Sequence, residues 1–119
     1  MRDYRKIKAW QLADSLVIGV YKATQNFPKE ERYGLISQLR RAAVSVPTNI
    51  VEGAGRQHKK DYLNFLYTAR GSLSEVEYLL GLSERLNFIT TENLESINNE
   101  CNKVQSTLYG LIKSVEDEI

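Results

Sequence analysis

The sequence predicts an all-α protein, an antiparallel up-down-up-down four-helix bundle in one domain over residues 1–119. Three observations predict it. Apolar residues recur at steps of three and four along the chain, and no alternating strand pattern persists. Phe27-Pro28, Gly53-Ala54-Gly55 and the segment after Asn87 break that periodicity into four stretches. The connections left between them are short, which favours antiparallel neighbours.

The first helix is expected over 8–26, with the seam Ala9, Ala13, Leu16, Val20, Ala23 and Phe27. Phe27-Pro28 ends it, because the residue before a proline avoids helical geometry. Pro28 suits the first turn of a second helix, and Glu30 and Glu31 suit its positive end. The seam of that helix reads Ile36, Leu39, Ala43, Val46, Ile50 and Gly53. Pro47 lies inside it and cannot donate to the carbonyl of Ala43. The seam keeps its phase across the proline, so the expectation is a helix that is kinked near Pro47 but continuous.

The third helix is expected over 59–87 with two apolar stripes. One is Tyr62, Phe65, Ala69, Val76, Leu79 and Ser83, with Ser72 filling one step. The other is Leu63, Leu66, Leu73 and Leu80, with Arg70 and Glu77 between. That is wider than the ~100° face of a corner helix. Either this helix is central or its second face meets another chain, and those four leucines are the candidate oligomer interface. The fourth helix starts near Thr90 or Thr91, each a competent N-cap. Its seam is Leu94, Ile97, Cys101, Val104, Leu108, Leu111 and Val115, which makes Cys101 a small buried hydrophobe. Gly19, Gly34, Gly71, Gly81 and Gly110 fall inside helices at about 1 kcal/mol each against alanine, an expense that close helix approach would offset.

Composition narrows the function. Charged residues at 26% and apolar residues at 42% describe a soluble globular chain. The longest uncharged stretch, Ala42 to Val51, is interrupted by Pro47 and falls short of the ~20 residues of a spanning helix. Residues 15–21 are apolar, yet no small-residue cleavage site follows, so no signal peptide is expected. A single cysteine fits a reducing cytoplasm. His58 and Cys101 are the only residues of their kinds, and no Glu-x-x-His pair, phosphate-cradling glycine run or zinc spacing occurs. An enzyme is not expected, nor is a metal or a cofactor.

Charge is unevenly distributed. Residues 1–60 hold twelve Lys and Arg against five Asp and Glu, a net +7, and residues 61–119 hold four against ten, a net −6. The basic half is a candidate surface for phosphate. The alternative is that the two halves neutralise each other across packed helices, with Arg40, Arg41 or Arg70 paired to glutamates such as Glu52, Glu75 or Glu77 inside the bundle or between subunits.

The stretch from Phe27 to Arg56, FPKEERYGLISQLRRAAVSVPTNIVEGAGR, carries a resemblance. With Tyr4 and Trp10 upstream, and Phe65-Leu66, Ala69-Arg70-Gly71-Ser72-Leu73 and Glu75 downstream, it resembles the S23 ribosomal protein-like family. These are four-helix-bundle proteins encoded within intervening sequences of bacterial 23S ribosomal RNA genes. Accessory proteins of diversity-generating retroelements look similar. The resemblance implies a bacterial, cytoplasmic ring, commonly a homopentamer, of poorly defined role with nucleic-acid binding as the leading idea. The chain departs from the basic retroelement proteins in its formal charge of only +1. It also has His58 where the family usually places a capping serine, and imidazole is the poorer acceptor.

The leading expectation is therefore a non-catalytic, oligomeric accessory protein that binds RNA or a ribonucleoprotein through a basic surface. Arg40, Arg41, Arg56, Lys59 and Lys60 are its candidate phosphate contacts, because Arg and Lys supply the salt-dependent attraction to the backbone. The aromatic residues do not interleave with the basic ones in the sequence as a stacking platform would require. The competing expectation is a protein-only scaffold or partner-binding ring without nucleic-acid contact.

Overall fold

The computed structural model describes residues 2–119. Four helices carry the fold: α1 (Lys8–Thr24), α2 (Leu35–Ala54), α3 (Lys59–Arg85) and α4 (Thr91–Asp117). Short 3-10 turns at Tyr4–Lys6 and Lys29–Glu31 precede α1 and α2, and no strand occurs among the described residues. Each helix packs against its chain neighbours, and α4 closes back on α1 around one core. The α2–α3 seam is the most extensive. The molecule measures 45 × 24 × 20 Å, its long edge set by 27-residue helices of about 40 Å.

Contacts along the α2–α3 and α3–α4 seams pair residues in opposite chain order. Ser45 meets Ser72 while Gly53 meets Tyr62 and Phe65. Lys59 pairs with Glu118, and at the far end Thr91 donates to Glu84.

The start of α2 differs from the expectation. Pro28 opens only the 3-10 turn, and Gly34 has non-helical dihedrals (φ −108°, ψ −112°), so α2 begins at Leu35 and has 20 residues. The Glu31 carboxylate accepts the Leu35 amide at 3.0 Å and caps the new start. A Cβ at Gly34 would lie 2.9 Å from that same carboxylate oxygen. The core side chain at this end is Leu35, with Ile36 half-buried. Helix α2 then continues through Pro47, which is buried with Val46 and Ile50.

Gly53 marks a close approach of α2 to α3. A Cβ there would sit 2.8 Å from Phe65 Cβ, 2.9 Å from Tyr62 Cδ1 and 3.2 Å from the Tyr62 carbonyl. Only a residue without a side chain lets the helices meet so closely. The other glycines divide. A Cβ at Gly19 would meet the flexible Glu100 carboxylate at 3.0 Å, whereas Gly71, Gly81 and Gly110 have nothing within 4 Å. For those three the expectation of close helix approach is corrected.

The wide apolar face of α3 is used twice within the chain, against α2 on one flank and α4 on the other. Leu63, Leu66, Leu73 and Leu80 are all buried in this shared core. Their assignment as an oligomer interface is therefore corrected, since they cover no outer surface. His58 is the N-cap of α3 and makes no side-chain capping bond. The other end of α3 closes with Phe88 N–H on Ser83 O and Asn87 N–H on Glu84 O, both 2.9 Å. Asn87 adopts φ 62°, the left-handed geometry this closure requires. Phe88 then packs against Phe27.

Thr90 caps α4 by accepting the Asn93 amide at 3.1 Å. The seam follows expectation to Leu108 and then buries Ile112 in place of Leu111. Four residues overshoot a turn by about 40° and three fall short by about 60°, so Ile112 stays closer to the Leu108 direction. Cys101 is buried, and burial together with Glu77 and Glu100 pushes its thiol up to about 12. That leaves it an inert core residue.

Gly53→Ala should lower the urea midpoint by the equivalent of about 1–3 kcal/mol, because a methyl group has no room at that contact. Gly110→Ala, on an exposed and open face, should instead raise stability by up to about 1 kcal/mol. The two variants measured side by side separate close approach from helix propensity.

Candidate nucleic-acid interface

The candidate cations fall into three settings. Arg40 is half-buried in the α1–α2 seam. Its Nε donates to Thr24 Oγ1 at 2.8 Å, its Nη2 donates to the Tyr21 carbonyl at 3.3 Å, and its guanidinium lies 4.4 Å from the Tyr21 ring centroid. Thr24 is itself buried and donates to Val20 O at 2.8 Å. Arg40 thus ties the end of α1 to α2. The structure gives this candidate phosphate contact a fold-holding role through its Nε and Nη2.

Arg41, one residue on, projects from the outer face of α2 and is exposed. It lines a surface cleft of about 490 Å³ on the α2–α3 seam with Gln38, Ala42, Ser45, Ser72 and Glu75. It forms no ion pair. Among the described residues the ion pairs are Arg5–Asp3 at 3.2 Å and Lys59–Glu118 at 3.4 Å, both exposed. The alternative pairing of Arg40, Arg41 or Arg70 with Glu52, Glu75 or Glu77 within the chain is therefore not what the structure shows. Most charges on the two halves face solvent instead.

Arg56, Lys59 and Lys60 gather where α2 turns into α3, and all are exposed. Arg56 lies 4.7 Å over the Phe65 ring. Lys59 is held by Glu118 at the end of α4, while Lys60 has no ion-pair partner among the described residues. The sequence reading missed Arg2, which joins the same end. Its Nη1 donates to Arg56 O at 2.8 Å and to Ala54 O at 3.5 Å, and it lies 4.1 Å over Tyr62. Arg2 therefore closes the C-terminus of α2, where the last carbonyls need donors. Arg2, Gly55, Arg56 and Gln57 line a surface cleft of about 560 Å³. No local signal marks Arg2, since its acceptors lie over fifty residues away.

The absence of interleaved basic and aromatic residues in the sequence does not carry over to three dimensions. Arg2 stacks on Tyr62, Arg40 on Tyr21, Arg56 on Phe65 and Arg70 on Tyr67, each between 4.1 and 5.0 Å from the ring centroid. Guanidinium planes held over rings are rigid donors, and they also offer a face for bases. The Tyr67 hydroxyl donates to Glu116 at 2.5 Å, and that bond holds its ionisation above the ordinary tyrosine range.

No group of three or more His, Cys, Asp or Glu lies close enough to hold a metal ion among the described residues. Among the described residues no helix is long and apolar enough to cross a membrane.

Arg40→Ala should lower stability by about 1–3 kcal/mol, because it strips a donor from the buried Thr24 hydroxyl and from the Tyr21 carbonyl. Arg41→Ala should change stability by no more than about 0.5 kcal/mol, as expected of an exposed side chain without partners. Chemical denaturation of the two variants tests the division of labour between adjacent arginines.

No curated protein matches the chain. Its fold is similar to the crystal structure of a protein of unknown function from the S23 ribosomal protein family of Bacteroides thetaiotaomicron. The TM-score is 0.79 at 29% identity, over 88% of this chain and 98% of that one. The model of the 23S rRNA-intervening sequence proteins matches residues 5–110, and the chain belongs to that family.

Proposed function

We propose that this protein is a non-catalytic, oligomeric accessory factor that binds RNA or a ribonucleoprotein through its basic end. The observation that carries the reading is the cluster at the α2–α3 turn. Arg56 and Lys60 stand exposed beside Arg2, with two guanidinium groups stacked on Tyr62 and Phe65. Phosphate is the ligand such donors fit, and stacked arginines also suit unpaired bases.

The near-neutral net charge of +1 argues for a local contact and against a broad electrostatic sheath. Carboxylates lie at this same end, including Glu118 on Lys59. Arg56 and Lys60 are therefore the stronger contributors and Lys59 the weaker. Repetition around a ring would multiply the patch and raise avidity without new contacts.

The oligomer belongs to the same proposal. Its contacts are sought among exposed apolar residues such as Ile18, Tyr33, Tyr78 and Tyr109, since the leucines of α3 are buried. One repeated interface closes into a ring under cyclic symmetry, and the family resemblance implies five subunits.

Replacing Arg56, Lys59 and Lys60 together by alanine should weaken RNA retention and reduce the slope of log K against log salt by about two to three. Helicity and oligomeric mass should be unchanged. Equal affinity and slope in a folded triple variant would remove this patch as the binding surface. No RNA retention by the parent protein at about 50 mM salt would favour a protein-only scaffold instead. Light scattering that showed only a 13.6 kDa monomer at micromolar concentration would refute the ring.

A further inference from the structure

The cleft midway along the α2–α3 seam is chemically unlike the basic end. Its α2 wall carries the Arg41 guanidinium and its α3 wall the Glu75 carboxylate, both exposed and outside every ion pair among the described residues. Neither side chain makes a hydrogen bond among the described residues. About one turn along the same cleft Ser45 Oγ and Ser72 Oγ lie 2.8 Å apart, and Asn49 Nδ2 donates to Ser45 Oγ at 3.0 Å. Two hydroxyls that share one hydrogen bond leave a second hydroxyl hydrogen free. The small Ala42 completes the lining, and no large apolar side chain takes part.

The cleft therefore offers a donor fork on one side, an acceptor pair on the other and a spare hydroxyl donor beside them. A phosphate group fits poorly, because Glu75 would repel it. A protein partner would be expected to bring apolar anchors to apolar ground, which this cleft lacks. Among the RNA bases, guanine alone has two adjacent donors, N1–H and the 2-amino group, next to two adjacent acceptors, O6 and N7. Adenine and cytosine each present a single amine, and uracil a lone N–H between carbonyls. Arginine to O6 and N7 is a favoured bidentate contact, and the adjoining Watson–Crick edge of an unpaired base presents N1–H and the 2-amino group to a carboxylate.

We propose that this cleft holds one unstacked guanine of a bound RNA strand, with Glu75 accepting from its N1–H and 2-amino group and Arg41 donating to its O6 and N7. The proposal rests on the RNA-binding reading of the basic end and adds base selectivity to it. Arg41, six residues into α2, and Arg56, just past its end, are fifteen residues apart, about 20 Å along a helix. A single strand can span that distance with its phosphates on the basic end and a base in the cleft.

The test is fluorescence anisotropy with three labelled oligoribonucleotides: one of adenosine alone, one with a central guanosine and one with inosine in its place. The guanosine strand should bind about tenfold tighter than the adenosine strand, within the range of a bidentate base contact. Inosine, which lacks the 2-amino group, should lose most of that gain. Glu75→Gln and Arg41→Ala, both at exposed positions that leave the core intact, should each abolish the preference. The triple alanine variant at Arg56, Lys59 and Lys60 should weaken all three strands alike and preserve their ratio. Equal binding of the three strands by the parent protein would overturn the guanine cleft while leaving RNA binding intact. A preference that survives Glu75→Gln would also overturn it, and no binding of any strand would overturn both readings.

Discussion

The close meeting of α2 and α3 at Gly53 is the constraint on which the rest depends. At that point the helices are separated by less than a methyl group would occupy, with Phe65 and Tyr62 closing over the glycine. The approach sets the α2–α3 seam, the most extensive in the bundle. Further along, it brings Ser45 and Ser72 within hydrogen-bonding distance. It also places the two aromatic rings of α3 where the arginines of the adjoining turn can lie on them. A larger residue at position 53 would force the helices apart, moving the polar cleft and the basic end together, because both are built on this seam.

Arginine serves two purposes in this molecule, and burial separates them. Arg2 and Arg40 each finish a helix, giving donors to carbonyls at the ends of α2 and α1 while resting on a tyrosine. Helix ends leave carbonyls without intrahelical donors, and a planar guanidinium can reach them from another segment. Arg41 and Arg56 have their side-chain donors unspent on the chain, Arg56 lying over Phe65 and Arg41 beside an open cleft. The second pair has the more hydrogen-bonding capacity to offer a ligand, since none of its five donors per side chain is used within the chain among the described residues. Formal charge does not distinguish the pairs; partners do.

The charge division between the two halves of the chain also changes meaning in three dimensions. A net +7 against −6 suggests mutual neutralisation, yet just one ion pair joins the halves among the described residues, Lys59 with Glu118. Exposed pairs of this kind contribute little to stability. The bundle rests on its apolar core, in which every buried side-chain polar atom among the described residues has a partner. The charged surface is thereby left available for binding.

The sequence by itself determined the helical class, the number of helices and most of the core, because each of these is local or periodic. The steps of three and four marked Leu16, Leu39, Leu66 and Val104 as buried, and Thr90 announced a cap through its own hydroxyl. Tertiary structure decided what depends on distant neighbours. Leu63, Leu66, Leu73 and Leu80 looked like a surplus face until α2 and α4 were both packed against α3. The roles of Arg40 and Arg41 are indistinguishable in a string of letters, since only the 100° turn between them sends one into the seam and the other into solvent. Arg2 acquires its role from acceptors more than fifty residues away. A residue's period is written in its neighbours along the chain; its partners are fixed only when helices far apart in sequence come together.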